Sequence, residues 1–428
     1  MTWQKIRLDT VISRIESGSR PTGGVSNDSG DIPSLGGENI QNAGGISLEG
    51  VKFVSKAFYD KMTKGHLADG DVLINKDGAQ TGKLGHYSDI RKPACINEHV
   101  FLLRGNPDCI TQSYLYYILL SEVGQNQIRM QISGSAQPGL KSNFIKGVDI
   151  CLPKDVNEQS KIAEILSTVD RAIEKTEALI AKQQRIKAGL MRDLLTRGID
   201  EQGNLRSEET HEFKDSPLGR IPFEWDWSSL GSVIEIIDCK HYTPTYVEDG
   251  IPIIRPRNIK DSGFDLTDLD YVTEKDYHLL TDKHEPSDGD IVFSRNASFG
   301  VPVYVKDAGR FCIGQDVVVM KWKVVDTRFI FYALKSDQNV RQIMNASGGS
   351  TFGRIDLGAI RNLKIVFPKD DDEQRKVSKR LSNCDAAIKM AQLELTKHRS
   401  LKTALMQDLL TGKRRVTTLL AKPEEANA

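Results

Sequence analysis

Residues 157–198 read NEQSKIAEILSTVDRAIEKTEALIAKQQRIKAGLMRDLLTRG, and residues 372–413 read DEQRKVSKRLSNCDAAIKMAQLELTKHRSLKTALMQDLLTGK. Both stretches open on a Glu-Gln pair, Glu158-Gln159 and Glu373-Gln374, and close on LMRDLLT and LMQDLLT. In the first, apolar residues recur at steps of three and four: Ile162, Ile165, Val169, Ile173, Ile180, Ile186, Leu190 and Leu194. The second gives Val377, Leu381, Cys384, Ile388, Ala391, Leu395, Leu405 and Leu409. No Pro interrupts either run, and Lys, Glu, Gln and Arg fill the remaining positions. This pattern predicts two long amphipathic helices, each with a coiled-coil seam. About 40 residues at 1.5 Å each make a helix of roughly 60 Å. A stripe of that length cannot be buried by short flanks, so the two helices are expected to pack on each other. The alternative is that each packs separately on its neighbouring domain.

The repeat extends beyond the helices. LADGDVLINKDG around Gly70 matches PSDGDIVFSRNA around Gly289, ACINEHVFLLR at Cys95 matches FCIGQDVVVMK at Cys312, and GVDICLP ending at Pro153 matches LKIVFP ending at Pro368. The spacing between copies drifts by only a few residues, as two homologous halves with small loop deletions require. The loops diverge most, for example GSAQPGLKSNF in the first half against GGSTFGRIDL in the second. A constant scaffold with two different loop sets is suited to binding two different things.

The chain of 428 residues with 39% hydrophobic content has enough apolar material for two globular units and shared helices. No apolar run is long enough to span a membrane, and the start MTWQKIRLDTVISRI lacks the uninterrupted apolar segment of a signal peptide. A cytoplasmic protein is therefore expected. The six Cys form no CxxC pair or zinc spacing, and Cys95 and Cys312 occupy equivalent strand positions that favour buried thiols. Basic and acidic residues balance at 58 each, which excludes a uniformly positive coat but permits local basic surfaces.

The fold class follows as α+β. Two tandem β-rich α/β domains are each followed by a long helix, and the helices pack as an antiparallel coiled coil with pseudo-twofold duplication. The expected boundaries are a first domain at 1–155, a helix at 156–198, a polar linker at 199–224, a second domain at 225–370, a helix at 371–413 and a frayed tail at 414–428. Within the first domain, Thr111 to Met130 reads as one helix, and Asp155 or Asn157 is a candidate N-cap for the long helix.

No motif in the sequence assembles a catalytic centre. Asn106-Pro107-Asp108-Cys109 shares its start with the (Asp/Asn)-Pro-Pro-(Tyr/Phe) motif of amino-methyltransferases, but lacks the aromatic residue that stacks a flipped base. Gly78 to Lys83 has three residues between its glycines and Leu84 after the Lys, so it is not a Walker A loop. Glu212-Phe213-Lys214 fits a nuclease pattern only by chance within the linker, and the eight His show no metal-ligand spacing.

What remains are polar, basic, Gly-containing loops at matching places in both halves. In the first half they carry Arg20, Lys76, Gln80, Thr81, Gln137 and Lys141. In the second they carry His241, Arg255, Arg257, Asn258, Arg295, Asn296, Ser350 and Arg354. Arg, Lys, Asn and Gln make paired hydrogen bonds to base edges, while Ser and Thr suit phosphates. Taken singly, each loop is equally well read as a solvated turn. Their recurrence points to a nucleic-acid surface.

The order domain, helix, domain, helix, the endings LMRDLLTRG and LMQDLLTGK, the two Glu-Gln helix starts and the segment SPLGRIPFEW resemble the specificity subunit (HsdS) of type I restriction–modification systems. The resemblance covers nearly the whole chain. It implies a non-catalytic subunit with two target-recognition domains, each reading one half of a bipartite, asymmetric site in double-stranded DNA. It implies partners as well: two modification (HsdM) subunits, which bind S-adenosylmethionine, and restriction (HsdR) subunits in the larger complex. No cofactor is expected on this chain itself. Sites on one face of B-DNA recur about every 34 Å, a spacing that helices of roughly 60 Å can set. A duplicated protein-interaction scaffold without sequence-specific DNA binding is the alternative function.

Overall fold

The computed structural model describes residues 3–22, 30–42, 44–88, 93–134, 138–296, 300–346 and 353–420. The chain divides into two compact units, Met1–Glu177 with Leu393–Ala428, and Ala178–Gln392. The division falls inside both long helices, Val156–Leu194 and Asp371–Leu409. Each unit therefore owns the start of one helix and the end of the other.

In the first unit a four-stranded antiparallel sheet runs in the order Ile12–Ser17, Val100–Gly105, Asp71–Asn75, Leu84–Tyr87. A smaller sheet sets Ile32–Leu35 between Lys52–Val54 (antiparallel) and Cys95–Ile96 (parallel). The second unit repeats this plan. Its larger sheet runs Ile234–Asp238, Val317–Trp322, Ile291–Ser294, Pro302–Tyr304, and its smaller one sets Ile251–Ile254 between Asp270–Val272 and Cys312–Ile313. The central strands Asp71–Asn75 and Ile291–Ser294 are buried along their whole length, as their apolar middles require. Burial pushes the Cys95 thiol up to about 11 and the Cys312 thiol up to about 12.

Each long helix starts straight after the last strand of its domain, with an Asp as its cap. The Asn157 N–H donates to Asp155 Oδ1 (2.9 Å), and the Asp372 N–H to Asp370 Oδ1 (3.0 Å). One turn later the Glu-Gln pair divides the work. Gln159 Nε2 donates to the Pro153 and Cys109 carbonyls (2.9 Å each), and its Oε1 accepts from the Thr111 N–H (3.0 Å). Gln374 repeats two of these contacts, donating to the Pro368 carbonyl (2.9 Å) and accepting from the Asp326 N–H (2.8 Å). Gln thus ties each helix to its own domain. Glu ties it to the other helix. Glu158, with no exposed surface, takes both prongs of Arg415 (2.5 and 2.6 Å), just past the end of the second helix. Glu373 takes both prongs of Arg206 (2.5 and 3.0 Å), just past the end of the first.

The helix ends supply core as well as clasps. Ile162 and Leu166 bury with Leu409, Leu410 and Val416 in the core of the first unit, and Val377 and Leu381 with Leu194, Leu195 and Ile199 in that of the second. Gly198 (φ +60°) and Gly412 (φ +74°) turn the chain in the left-handed region beyond each helix. A Cβ on Gly198 would stand 2.6 Å from the Trp225 ring, and one on Gly412 2.9 Å from that of Trp3, so both turns also need the bare backbone.

The helices run antiparallel. Within the first unit Asp170 pairs with Lys402 (2.6 Å) and Glu177 with Arg399 (2.6 Å), so advance along one helix is retreat along the other. Within the second unit Lys187 pairs with Asp385 (2.5 Å). The Asp of each helix-crossing Lys pair also accepts from a tyrosine of its own domain, Tyr117 to Asp170 (2.8 Å) and Tyr332 to Asp385 (2.7 Å). Burial, reinforced by the carboxylate, pushes both phenols far above their ordinary range, so they remain donors. The seam is closed at its ends and looser between them. Ile165, Val169, Ile180, Leu190, Ile388, Leu395 and Leu405 are half-buried, Ile173 is buried, and Ile186 is 42% exposed. Pairing on each other and packing on a domain thus coexist, along different parts of the same helix.

Three expectations need correction. Residues 199–224 are not a bare linker. They hold the buried Ile199 and Arg206 and a hairpin, Phe213–Ser216 with Gly219–Pro222. Residues 414–420 are not frayed, because Arg415 is clasped and Val416 is buried. The helix expected over 111–130 is two helices, Gln112–Leu120 and Glu122–Met130. The chain turns extended at Ser121, whose hydroxyl accepts from the Gly124 N–H to cap the second.

Candidate nucleic-acid interface

In the first unit the strand Asp71–Asn75 runs into the loop bearing Lys76, Gln80 and Thr81. Backbone bonds fasten this loop to the segment at 138–141: the Leu140 N–H donates to the Lys76 carbonyl (2.6 Å) and the Gly78 N–H to the Pro138 carbonyl (3.1 Å). The Thr81 hydroxyl reaches the Gly78 (2.6 Å) and Pro138 (3.1 Å) carbonyls, so it closes the loop. Lys76 Nζ donates to Ser17 Oγ (3.1 Å) and sits 5.3 Å from the Phe101 ring centre. Lys76, Asp77, Lys141, Ser142 and Asn143 line one open hollow. Around it, Asp77 meets His99 (2.8 Å), Arg20 faces Glu98 (3.7 Å) and Gln80 accepts from Lys83 (2.9 Å). Gln137 lies outside the described residues.

In the second unit, Arg255, Arg257, Asn296, Tyr242, Tyr246 and Gln315 line a hollow at a different place on the scaffold, beside the turn at Arg255. Arg255 donates to Asp270 Oδ2 and Arg257 to Asp270 Oδ1, both at 2.8 Å, and the Arg255 guanidinium stands 5.8 Å from the Tyr246 ring centre. Burial alone would raise the Asp270 carboxyl, but the Arg255 and Arg257 guanidiniums outweigh it and hold the group below the usual carboxylate range. Nearby, Asp316 takes Arg354 (2.8 Å) and Asn296 (3.3 Å) while holding a left-handed backbone, φ +63°. Asp238 takes Arg295 (2.9 Å) and lies 3.8 Å from the exposed His241. Ser350 lies outside the described residues.

Two of the expected contact residues have structural work instead. Asn258 is 2% exposed, and its amide accepts from the Arg255 N–H (3.1 Å) and donates to the Asp268 carbonyl (2.9 Å). Arg295 is 6% exposed, with its guanidinium on Asp238 and the Ile355 carbonyl (3.2 Å). Both shape the loops from within. Sequence reasoning missed Tyr246, Asp270 and Gln315 in the second unit and Phe101 and Asn143 in the first. Aligning the halves places Gly36-Gly37-Glu38-Asn39 opposite Arg255-Pro256-Arg257-Asn258. That alignment was the available signal. Both tetrapeptides form the same turn, in which Asn39 or Asn258 accepts from the first residue's N–H (2.9 and 3.1 Å). The turns carry opposite charges: Glu38 pairs with Lys52 (3.2 Å) where Arg257 pairs with Asp270.

Among the described residues no group of three or more His, Cys, Asp or Glu side chains could hold a metal ion, and no helix is long and apolar enough to cross a membrane. Two copies of one scaffold thus present different polar side chains.

The comparisons identify the family of this scaffold. The family described as type I restriction modification DNA specificity domain matches residues 1–183 and 222–397, and this chain belongs to it. Specificity subunits of this family are non-catalytic. Among relatives in Methanocaldococcus jannaschii, the type I restriction enzyme MjaVIII specificity subunit is 24% identical, over 97% of this chain and 94% of its own. The putative type I restriction enzyme MjaX specificity subunit is 27% identical over the same shares. The fold is shared with the type I restriction–modification S subunit from M. genitalium (TM-score 0.64, 16% identity, 96% of each chain). It is also shared with a chain from a structure concerned with complex assembly and conformational transition of the type I R-M system (TM-score 0.52, 18% identity, 95% of this chain and 97% of that one).

Proposed function

We propose that the two units each read one half of a bipartite, asymmetric DNA site, and that the chain directs modification and restriction subunits to it. The observation that carries this reading is the pairing of a repeated framework with unlike readers. The Glu-Gln helix starts recur with the same roles, Gln on its own domain and Glu on an arginine beyond the other helix, while the turns at Gly36 and Arg255 carry opposite charges. Identical readers would have given a symmetric site. The clasped antiparallel helices serve as the spacer, and a stiff spacer converts two weak readouts into one by raising the effective concentration of the second.

Two modification (HsdM) subunits would supply the methyl donor, S-adenosylmethionine, and with it adenine methylation. Restriction (HsdR) subunits would supply cleavage. Exposed apolar side chains on the long helices, Leu179 and Ile186 on the first and Met390, Leu393 and Leu401 on the second, suit the docking of such partners. The spacer role has a direct test. Inserting four residues, about one turn, at matched points of both helices should change the unread gap in the modified DNA while leaving both half-sites intact. A gap of unchanged length would contradict it.

A further inference from the structure

The turn at Arg255–Asn258 holds a fixed array of hydrogen-bond donors. The Asp270 carboxylate holds one guanidinium on each oxygen, and Tyr246 backs Arg255. Arg255 and Arg257 are still 42% and 43% exposed, so they are held in direction but not covered. Each guanidinium has five N–H donors and gives one to Asp270, leaving donors for a ligand. A fixed, forked pair of donors matches adjacent acceptors in one plane, as guanine presents with N7 and O6 in the major groove.

A phosphate fits this cluster less well. Asp270 lies between the two arginines, and Asp268 is 3.7 Å from Arg257, so two carboxylates balance two guanidiniums. A locally neutral, rigid donor array suits a neutral base edge, whereas an anion would meet like charge at close range. The first unit strengthens the contrast. Its same turn has Gly36 in place of Arg255 and Glu38 in place of Arg257, with Lys52 where Asp270 stands. A position that inverts its charge between two copies of one scaffold, while the backbone turn stays fixed, is one where the ligand differs.

We propose that Arg255 and Arg257 read guanine in the half-site of the second unit, with Asp270 as the residue that positions them. This rests on the bipartite-reading proposal above.

The test uses the full chain in complex with the modification subunit of its own system and DNA carrying the methylated motif found in the host. Replacing guanine by 7-deazaguanine removes the N7 acceptor without altering base pairing. At one guanine of the second half-site, this should weaken wild-type binding by about tenfold or more. It should have little effect on Arg257→Lys or Arg255→Lys, which keep the charge but lose the fork. Asp270→Asn should lower discrimination at that base pair without weakening binding to unrelated DNA. A second half-site with no G·C pair would overturn the inference, as would 7-deazaguanine binding equally well at every position. Asp270→Asn tightening binding to all sequences alike, with discrimination intact, would mean a phosphate contact and overturn it too. Absence of sequence-selective binding by the wild-type complex would instead overturn the bipartite-reading proposal itself.

Discussion

At the start of each long helix the two halves place the same pair of residues in the same roles, and at the turn after the first strand of each smaller sheet they place opposite charges. Glu158 and Glu373 are both buried carboxylates gripped by an arginine from beyond the other helix. Glu38 and Arg257 occupy equivalent positions and face Lys52 and Asp270 respectively. The difference follows from solvent. A buried charge without its partner is costly, so the clasps tolerate little change, whereas an exposed pair contributes little to folding and is free to diverge. The buried clasps are kept at the helix ends, and the two copies diverge at the turns.

That division can be broken at its strongest point. Arg206→Ala strands the buried Glu373 and should cost about 3–5 kcal/mol of unfolding free energy, measured by urea denaturation. Arg415→Ala should cost less, because the Arg415 side chain is 32% exposed and water can reach the gap it leaves. Equal losses would mean that the two clasps are not graded by burial.

The tryptophans sharpen the contrast between copies. Trp225 donates its indole N–H to Glu373 (3.1 Å), while the buried Trp3 indole nitrogen has no hydrogen-bond partner among the described residues. Trp225→Phe should therefore destabilise by about 1.5–3 kcal/mol, the range for hydrogen bonds to charged groups, and Trp3→Phe by clearly less. Gln159→Ala and Gln374→Ala should each lose about 1–3 kcal/mol, since each strands buried backbone groups. A large gap between them would show that the two helix starts are not equivalent after all. The smallest stability effect belongs to the turns. Glu38→Ala should shift stability by about 1 kcal/mol or less, yet alter base preference in the first half-site when binding to variant sites is compared.

Much of this framework was legible. The steps of three and four in residues 157–198 and 372–413 give the helices, and the match of Cys95 to Cys312 and Pro153 to Pro368 gives the duplicated sheets. The clasps were not, because Arg206 sits in a polar stretch with no periodicity and Arg415 in what reads as a tail. Their meaning depends on which helix end meets which start. The loops were legible as polar and basic, but burial was not. Nothing local separates Arg295, locked on Asp238, from Arg257, held but open. The partner of Arg257 comes from strand pairing, since Asp270 lies opposite Ile253 across the smaller sheet. That relation appears only once the register is known.

The most direct test of the central claim is single-molecule sequencing of methylated adenine in host DNA, with and without this gene. Two unlike readers on one spacer predict the loss of one split motif whose halves differ in sequence. An unchanged methylome, in a host whose modification subunit is present and active, would contradict the account.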